Sequence, residues 1–220
     1  MPRRRLVLAL LLLLAAPAAA KDPPPAALPV RPDINDPENL LYLDLSTGGR
    51  VTVYLRSDAA PAHVERIKTL ARRGFYDGHI FHRVIDGFMA QTGDPTGTGQ
   101  GGSDLPDLKA EFNNLPHMRG AVSMARTDDP DSANSQFFIV FEPTLRLDRQ
   151  YTVFGRVIDG MKWVDAIPRG EPPAAPARIL QASVAADRKP LPAFPEAPKA
   201  PDRSLLDAEA AKLGLPPPKN

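Results

Sequence analysis

The segment FHRVIDGFMAQTGD, residues 81–94, places one permanently charged guanidinium in a run of apolar side chains. Arg83 carries that charge, and the uncharged amide of Gln91 follows later in the same segment, beside bulky apolar neighbours. A second segment, SANSQFFIVF, combines Gln136 with two phenylalanines in a similar way. An apolar hollow with a few polar groups at its edge is typical of a site for a small ligand or a peptide. An arginine on the solvent face of a strand is the alternative, and the spacing alone leaves both interpretations open.

The glycine-rich stretch GTGQGG has the spacing of a dinucleotide-binding loop, with its glycines at Gly97, Gly99 and Gly102. Such a loop requires a strand before it and a helix that begins directly after it. Here Pro95 precedes the glycines and Pro106 interrupts the segment that follows, which breaks any helix there. The pattern therefore favours a flexible or tightly turning loop over a phosphate site.

The histidines do not form a recognisable metal or hydrolase motif. His79 and His82 are three residues apart in a segment that resembles a strand, so their side chains would point to opposite faces of a sheet. The other two histidines are distant in the chain, there is no cysteine, and the nucleophile motif GxSxG does not occur. Asp94 or Asp104 could pair with His82 as a general base, but nothing in the spacing singles them out. We expect no metal ligands.

The beginning of the chain has the pattern of a secretory signal peptide. Three arginines are followed by a short apolar run and then by small residues that end at Ala20. The apolar run is too short to cross a hydrocarbon core of roughly 30 Å, so we expect no stable membrane insertion. We expect cleavage after Ala20 and a periplasmic or secreted protein of a bacterium.

Composition excludes some classes of partner and bond. The chain has 27 basic and 26 acidic residues, and loss of the three arginines near its start leaves 24 basic residues. A nearly neutral domain of this kind lacks the clustered positive charge that nucleic-acid binding requires. The absence of cysteine rules out disulfides and lipid attachment through a thiol.

Proline content divides the chain into four parts. Residues 1–20 form the predicted signal peptide, and residues 21–37, with six prolines, are predicted to be an extended linker. Residues 38–186 form one domain that is large enough for a full core. Residues 187–220 contain eight prolines and are predicted to be a disordered tail, within which SLLDAEAAKLG could form a short, marginal helix.

Strand patterns dominate the predicted domain. Apolar and polar residues alternate in LLYLDL and RVTVYL across a Ser-Thr-Gly-Gly turn, which indicates a hairpin. Further β-rich runs cover residues 120–125, 135–141, 152–158 and 177–185. Two helices are predicted, one within residues 57–74 with an apolar face and a short one at residues 159–167. Many strands without alternating helices indicate a mostly antiparallel sandwich or barrel.

The order of motifs resembles the cyclophilin family of peptidyl-prolyl cis–trans isomerases. The resemblance rests on FHRVIDGFMAQTGD, GTGQGGS, EFNN, RGAVSMAR, NSQFFIVF, an LD pair and YTVFGRVIDGM, and it extends from about Leu40 to Ala185. It implies a mainly β fold, a closed eight-stranded antiparallel β-barrel capped by two α-helices. Closure would remove the exposed strand edges that such a sheet otherwise presents.

The resemblance also implies the site residues. The catalytic arginine falls on Arg83, and Gln91 and His82 are assigned with it. The substrate-binding residues are Phe88, Met89, Ala125, Arg126, Gln136, Phe138, Leu147 and Tyr151. No cofactor is implied. Many family members have a tryptophan where this chain has Arg146, which places the binding of cyclosporin in question.

The implied function is rotation about X–Pro peptide bonds in proline-containing polypeptides, with exported proteins as the substrates whose folding is assisted. We expect a monomer. A peptide-binding or holdase module that keeps the cleft without catalysis is the alternative from another class. A structural protein of the cell envelope is a third possibility, for which the proline-rich flanks are the only indication.

Overall fold

The computed structural model describes residues 30–195. The predicted signal peptide, most of the predicted linker and most of the predicted tail lie outside the described residues. The four-part division of the chain therefore stays a prediction. Within the described part of the chain, no helix has the length and apolar character that crossing a membrane requires.

Eight strands and two helices form the domain. The strands are β1 (Leu40–Leu45), β2 (Gly49–Leu55), β3 (Arg83–Ile85), β4 (Met89–Thr92), β5 (Ala121–Met124), β6 (Phe137–Val140), β7 (Val153–Asp159) and β8 (Ile179–Val184). The helices are α1 (Pro61–Arg72) and α2 (Met161–Asp165). The strands form one antiparallel sheet in the order β3-β4-β6-β5-β7-β2-β1-β8. The prediction of a mainly β fold with eight antiparallel strands and two helices is confirmed.

The sheet is a half-barrel, so the prediction of a closed barrel is wrong. The end strands β3 and β8 do not pair, and a single bridge between Ile80 and Arg178 spans the gap. The free edge of β3 is covered by a loop, since Val84 and Gly170 exchange two backbone hydrogen bonds of 2.8 Å. The segment between α2 and β8 contains four prolines, which lack the N–H group that a continuous ladder would need.

Helix α1 forms where its apolar periodicity predicts, with Val64, Ile67 and Leu70 buried against the sheet. Its N-terminus has no capping side chain of its own. The carboxylate of Glu111, from a distant loop, accepts the N–H groups of Ala62 and His63 instead. A loop thus supplies the cap that the sequence around the helix lacks.

Apolar side chains form two clusters on opposite faces of the strands. The larger cluster, called the inner core below, fills the concave side of the sheet and includes Leu43, Val53, Phe137 and Phe154. The smaller cluster, called the outer cluster below, is formed by Met89, Ala121, Phe138, Val140 and Val153, with Ile85, Phe88, Leu115, Ala125, Leu147 and Tyr151 packed against it. The alternation of side chains along a strand accounts for this division, because neighbouring residues point to opposite faces.

Candidate active site

A small cavity opens on the outer cluster and is called the proline pocket below. Its volume is about 130 Å³, well below the roughly 300–1,000 Å³ of a site for a drug-sized ligand. It is lined by Arg83, Phe88, Met89, Gln91, Ala125, Arg126, Phe138, Leu147 and Tyr151. The structure thus brings together nine of the eleven site residues that the sequence singles out.

The hairpin of β3 and β4 supplies four of these residues. Arg83 and Gln91 lie directly opposite each other in its register. The strands reverse direction at Asp86-Gly87, where Gly87 has a φ of +64° that a side chain would disfavour. These two strands were not among the predicted ones, although Asp-Gly between apolar runs is a strong hairpin signal.

The guanidinium of Arg83 lies on the wall of the proline pocket. Its Nε donates to the carboxylate of Glu171 at 2.7 Å, and one terminal nitrogen donates to Oε1 of Gln91 at 3.5 Å. Both partners of the ion pair are partly exposed, at 40% for Arg83 and 52% for Glu171. The remaining N–H groups can therefore reach a peptide in the pocket without leaving the ion pair. Glu171 was not anticipated, because nothing local marks a residue from so distant a loop.

A chain of side-chain amides connects Arg83 to the glycine-rich loop. Gln91 Nε2 donates to Oε1 of Gln136 at 2.9 Å. Gln136 in turn donates to the carbonyl oxygens of Gly99 and Gly101, at 3.0 and 2.8 Å. Both ends of the Gln91 amide are therefore engaged, which fixes its orientation beside the arginine.

The glycine-rich loop winds around a buried carboxylate. Asp94 accepts the backbone N–H groups of Thr96 and Gly99, at 2.7 and 2.6 Å, as well as the Thr96 hydroxyl. Burial alone would raise the pKa of Asp94, but these bonds to its ionised form lower the pKa to about 2. No helix follows the loop, so it is a tight turn and not a dinucleotide site.

His82 lies beneath this loop and not on the wall of the proline pocket. Its side chain is buried, and neither ring nitrogen makes a hydrogen bond within residues 30–195. The loop lies so close that a Cβ atom at Gly99 would be 3.6 Å from the His82 ring. Burial lowers the pKa of His82, which favours the neutral ring. A pairing of His82 with Asp94 is not formed, and the assigned catalytic role of His82 stays a prediction.

A relay of three polar side chains, two of them buried, supports the pocket from behind. His117 Nδ1 lies 2.8 Å from the Asp148 carboxylate, and its Nε2 lies 3.1 Å from the Ser123 hydroxyl. The His117 ring stacks on the ring of Phe138, with centroids 6.1 Å apart. Burial lowers the pKa of His117 despite its carboxylate partner. His117 was not among the predicted site residues, because it lies far from His79 and His82 in the sequence.

The backbone of His117 also helps to hold the turn that carries Leu147. The backbone N–H of His117 donates to Asp148 at 2.8 Å, and the backbone N–H of Thr144 donates to the carbonyl of His117 at 2.8 Å. Leu147 lies between these two attachment points, in the turn Leu145–Leu147. One wall of the proline pocket therefore depends on a histidine that the pocket does not expose.

A second, more polar cavity of about 350 Å³ adjoins the proline pocket. It is lined by Gln91, Gly99, Gln100, Gly101, Gly102, Ser103, Asp107, Ala125, Arg126, Thr127, Ser132, Asn134 and Gln136. Ala125 and Arg126 lie at the boundary of both cavities. A peptide that crosses this boundary could place one side chain in each cavity.

No group of three or more histidine, cysteine or acidic residues within residues 30–195 has the arrangement of a metal site. The side chains of the site offer the guanidinium of Arg83, two oriented amides and an apolar cup of a size suited to a single small ring.

Comparison with known proteins identifies a family. Residues 42–184 match the family model described as "Cyclophilin type peptidyl-prolyl cis-trans isomerase/CLD". A "Probable peptidyl-prolyl cis-trans isomerase" of Brucella suis is 48% identical, over 70% of this chain and 86% of its own length. A protein of the same name from Brucella abortus is 47% identical over the same shares.

Two solved structures are similar in fold. The cyclophilin AquaCyp293 from Hirschia baltica has a TM-score of 0.65 and 31% identity, covering 70% of this chain and 77% of its own. A cyclophilin-type isomerase of Cryptosporidium parvum, solved in the presence of the dipeptide Ala-Pro, has a TM-score of 0.62 and 28% identity. It covers 66% of this chain and 98% of its own. The chain belongs to the cyclophilin-type peptidyl-prolyl cis–trans isomerase family.

Proposed function

We propose that the protein catalyses cis–trans rotation about X–Pro bonds in exported polypeptides, with Arg83 as its catalytic residue. The observation that carries this proposal is the guanidinium on the wall of an apolar pocket. The solved relative from Cryptosporidium parvum was studied with Ala-Pro, a dipeptide with the bond in question.

The reaction requires a hydrogen-bond donor in its transition state. A peptide bond resists rotation because the nitrogen lone pair is delocalised into the carbonyl, giving a barrier of about 18–20 kcal/mol. In the twisted transition state this delocalisation is lost, so the prolyl nitrogen becomes pyramidal and accepts a hydrogen bond. A donor aimed at that nitrogen stabilises the transition state more than either ground state. Arg83 can donate while it stays charged.

The required stabilisation is modest. Uncatalysed exchange proceeds at about 0.01–0.1 per second, and a turnover of about 10 per second is typical of enzymes. The difference is a factor of roughly 10²–10³, or about 3–4 kcal/mol. A charge-assisted hydrogen bond in a partly dry pocket, together with orientation of the ring, is of this size. No covalent bond is made or broken, so the reaction needs no nucleophile.

The remaining pocket residues have matching roles in this proposal. Phe88, Met89, Phe138 and Leu147 hold the proline ring. Gln91 orients Arg83 and lies within reach of the rotating carbonyl. The backbone at Ala125 and Arg126, between the two cavities, is placed to pair with the substrate chain.

Exchange spectroscopy by NMR tests the activity. The protein is added to a short peptide with a single Ala-Pro bond, and the cis–trans exchange rate is measured with and without it. Acceleration of at least a hundredfold at micromolar protein supports the proposal. Peptide binding without accelerated exchange would contradict it and would favour a holdase instead.

Export is the second part of the proposal, and it rests on the arginine-rich start and the apolar run that follows. Expression of the full chain with a C-terminal tag in a Gram-negative bacterium tests it. We expect periplasmic recovery of a product whose N-terminus begins at Lys21. Recovery of the uncleaved chain in the cytoplasm would overturn the assignment, without affecting the isomerase proposal.

A further inference from the structure

Two guanidinium groups flank the mouth of the proline pocket. The Cζ atom of Arg126 lies 4.5 Å from the centre of the Tyr151 ring, and that of Arg146 lies 5.2 Å from the centre of the Phe88 ring. Both distances are within the range of cation–π contacts. Because Tyr151 and Phe88 both line the pocket, the contacts hold positive charge at its mouth.

Neither charge is balanced by a carboxylate within residues 30–195. Arg126 donates only to backbone carbonyls, at 3.0 and 3.2 Å to Gln150, at 2.7 Å to Thr127 and at 3.2 Å to Asp128. Carbonyl groups fix the position of the guanidinium without cancelling its net charge. Arg146 is exposed and forms no ion pair in the described part of the chain. By contrast, Arg83 is paired with Glu171.

A group of acidic side chains, unpaired within residues 30–195, lies on the other side of Arg126. Asp107 lines the larger polar cavity. Asp128, Asp129 and Asp131 are exposed on the loop that follows Arg126. On the Arg146 side, Glu171 is neutralised by Arg83, and Glu142 lies near Gly87. Arg146 and Arg126 add two guanidinium charges at the mouth of the pocket. The polar cavity is therefore the more acidic end of the cleft. A bound peptide would experience this difference along its length.

From this arrangement we infer that the enzyme prefers an acidic residue beside the substrate proline, on the side that lies against Arg146. Arg146 is the specificity-determining residue, because its guanidinium lies next to the residue beside the substrate proline once the proline ring occupies the pocket. The inference rests on the proposed isomerase function and adds a substrate class to it. Acidic side chains gain from this potential, while lysine side chains are repelled.

The expected preference is moderate, because the charges are exposed and screened by water and salt. At low ionic strength we expect kcat/KM for a glutamate peptide to exceed that for the matched lysine peptide about three- to fivefold. Glutamine should give an intermediate value. The preference should nearly vanish in 1 M salt, where the Debye length is about 3 Å.

Two peptide series test the inference by NMR exchange. In one series the residue directly after an Ala-Pro pair is Glu, Gln or Lys, and in the other that residue is placed two positions before the proline. Because Arg146 lies on one side of the pocket, we expect the acidic preference in one of the two series. The glutamate-to-lysine ratio is compared within each protein variant, so that changes in overall activity cancel.

Arg146→Gln removes the charge and should reduce the ratio to below twofold. Arg156→Gln is the matched control, because Arg156 is exposed on β7 and lines neither of the two site cavities. The glutamate-to-lysine ratio of this control should equal that of the unaltered protein.

Equal rates for Glu, Gln and Lys in both series would overturn the inference and leave the isomerase function intact. A ratio that survives Arg146→Gln would also overturn it, whereas a failure to accelerate any peptide would contradict the function itself.

Discussion

Strand β6 has two neighbouring phenylalanines that belong to different parts of the molecule. Phe137 points into the inner core, is fully buried and packs edge-on against Tyr76 and Phe154. Phe138 points outward, forms part of the proline pocket and stacks on His117. The same strand therefore serves stability on one face and the candidate chemistry on the other.

The two faces are also held together differently. The inner core is a continuous cluster of apolar side chains drawn from nearly every strand and both helices. The outer cluster is thin, and hydrogen bonds from His117 and the Gln91–Gln136 pair position the residues around it. Packing alone can thus maintain the fold, whereas the pocket depends on a few directional bonds.

Substitution of the two phenylalanines tests this difference most strongly. Phe137→Ala should lower the free energy of unfolding by about 3–5 kcal/mol, because it leaves a cavity in a packed interior. Phe138→Ala should cost less stability, because its site already borders an open pocket, but should lower kcat/KM at least tenfold. Urea unfolding and NMR exchange measure the two quantities. Equal effects of both substitutions on stability and on activity would remove the distinction.

Two buried histidines allow a second comparison of the faces. His117→Ala removes the imidazole that bonds to Asp148 and Ser123, and we expect a loss of about 1–3 kcal/mol in stability. It should also raise KM, because the turn that carries Leu147 loses the bond between Asp148 and the imidazole and keeps only its backbone attachments. His117→Asn keeps a donor near the Nδ1 position and should restore part of the lost stability and lower KM again in part.

His63→Ala is the matched control for that substitution. His63 is also fully buried and bonded to a carboxylate, with its Nδ1 2.6 Å from Glu111, but it lies on helix α1 away from the pocket. It should destabilise the fold without changing KM. A similar rise in KM for both variants would show that general destabilisation, and not the relay, sets the pocket geometry.

The pocket could be predicted from the sequence more fully than the barrel could. Strand patterns located six of the eight strands to within two residues but missed β3 and β4, and motif order identified nine residues that line one cavity. Closure of the barrel was predicted wrongly, because the pairing of β3 with β8 depends on a loop whose prolines break the ladder. Glu171 and the relay of His117 were missed, because each depends on contacts between residues far apart in sequence.

Acid should weaken both faces through their buried histidines. Burial lowers the pKa of His63, His82 and His117 below the ordinary value of 6.5. Their contribution to stability is complete above pH 6.5 and is lost as the pH falls through the lowered values. Asp94, with a pKa of about 2, stays ionised over that range.

We therefore expect the urea midpoint to be constant from pH 8 to pH 7 and to fall between pH 6.5 and pH 5. A midpoint that is unchanged or higher at pH 5 would show that these rings are protonated without cost in the folded state.

The smallest effect is expected from the ion pair at the edge of the pocket. Glu171→Gln removes a partly exposed partner of Arg83, so stability should change by less than about 1 kcal/mol. Activity should change by less than about threefold if Gln91 keeps the guanidinium in place. A tenfold loss in the NMR exchange assay would show that Glu171, and not Gln91, positions Arg83.

Substitution of Arg83 tests the central claim most directly. In the NMR exchange assay, Arg83→Ala should lower the catalysed rate on an Ala-Pro peptide at least tenfold, while circular dichroism and the urea midpoint stay close to those of the unaltered protein. Arg83→Lys should give an intermediate rate, because lysine keeps the charge but lacks the forked geometry. Near-normal turnover by a folded Arg83→Ala protein would contradict the account.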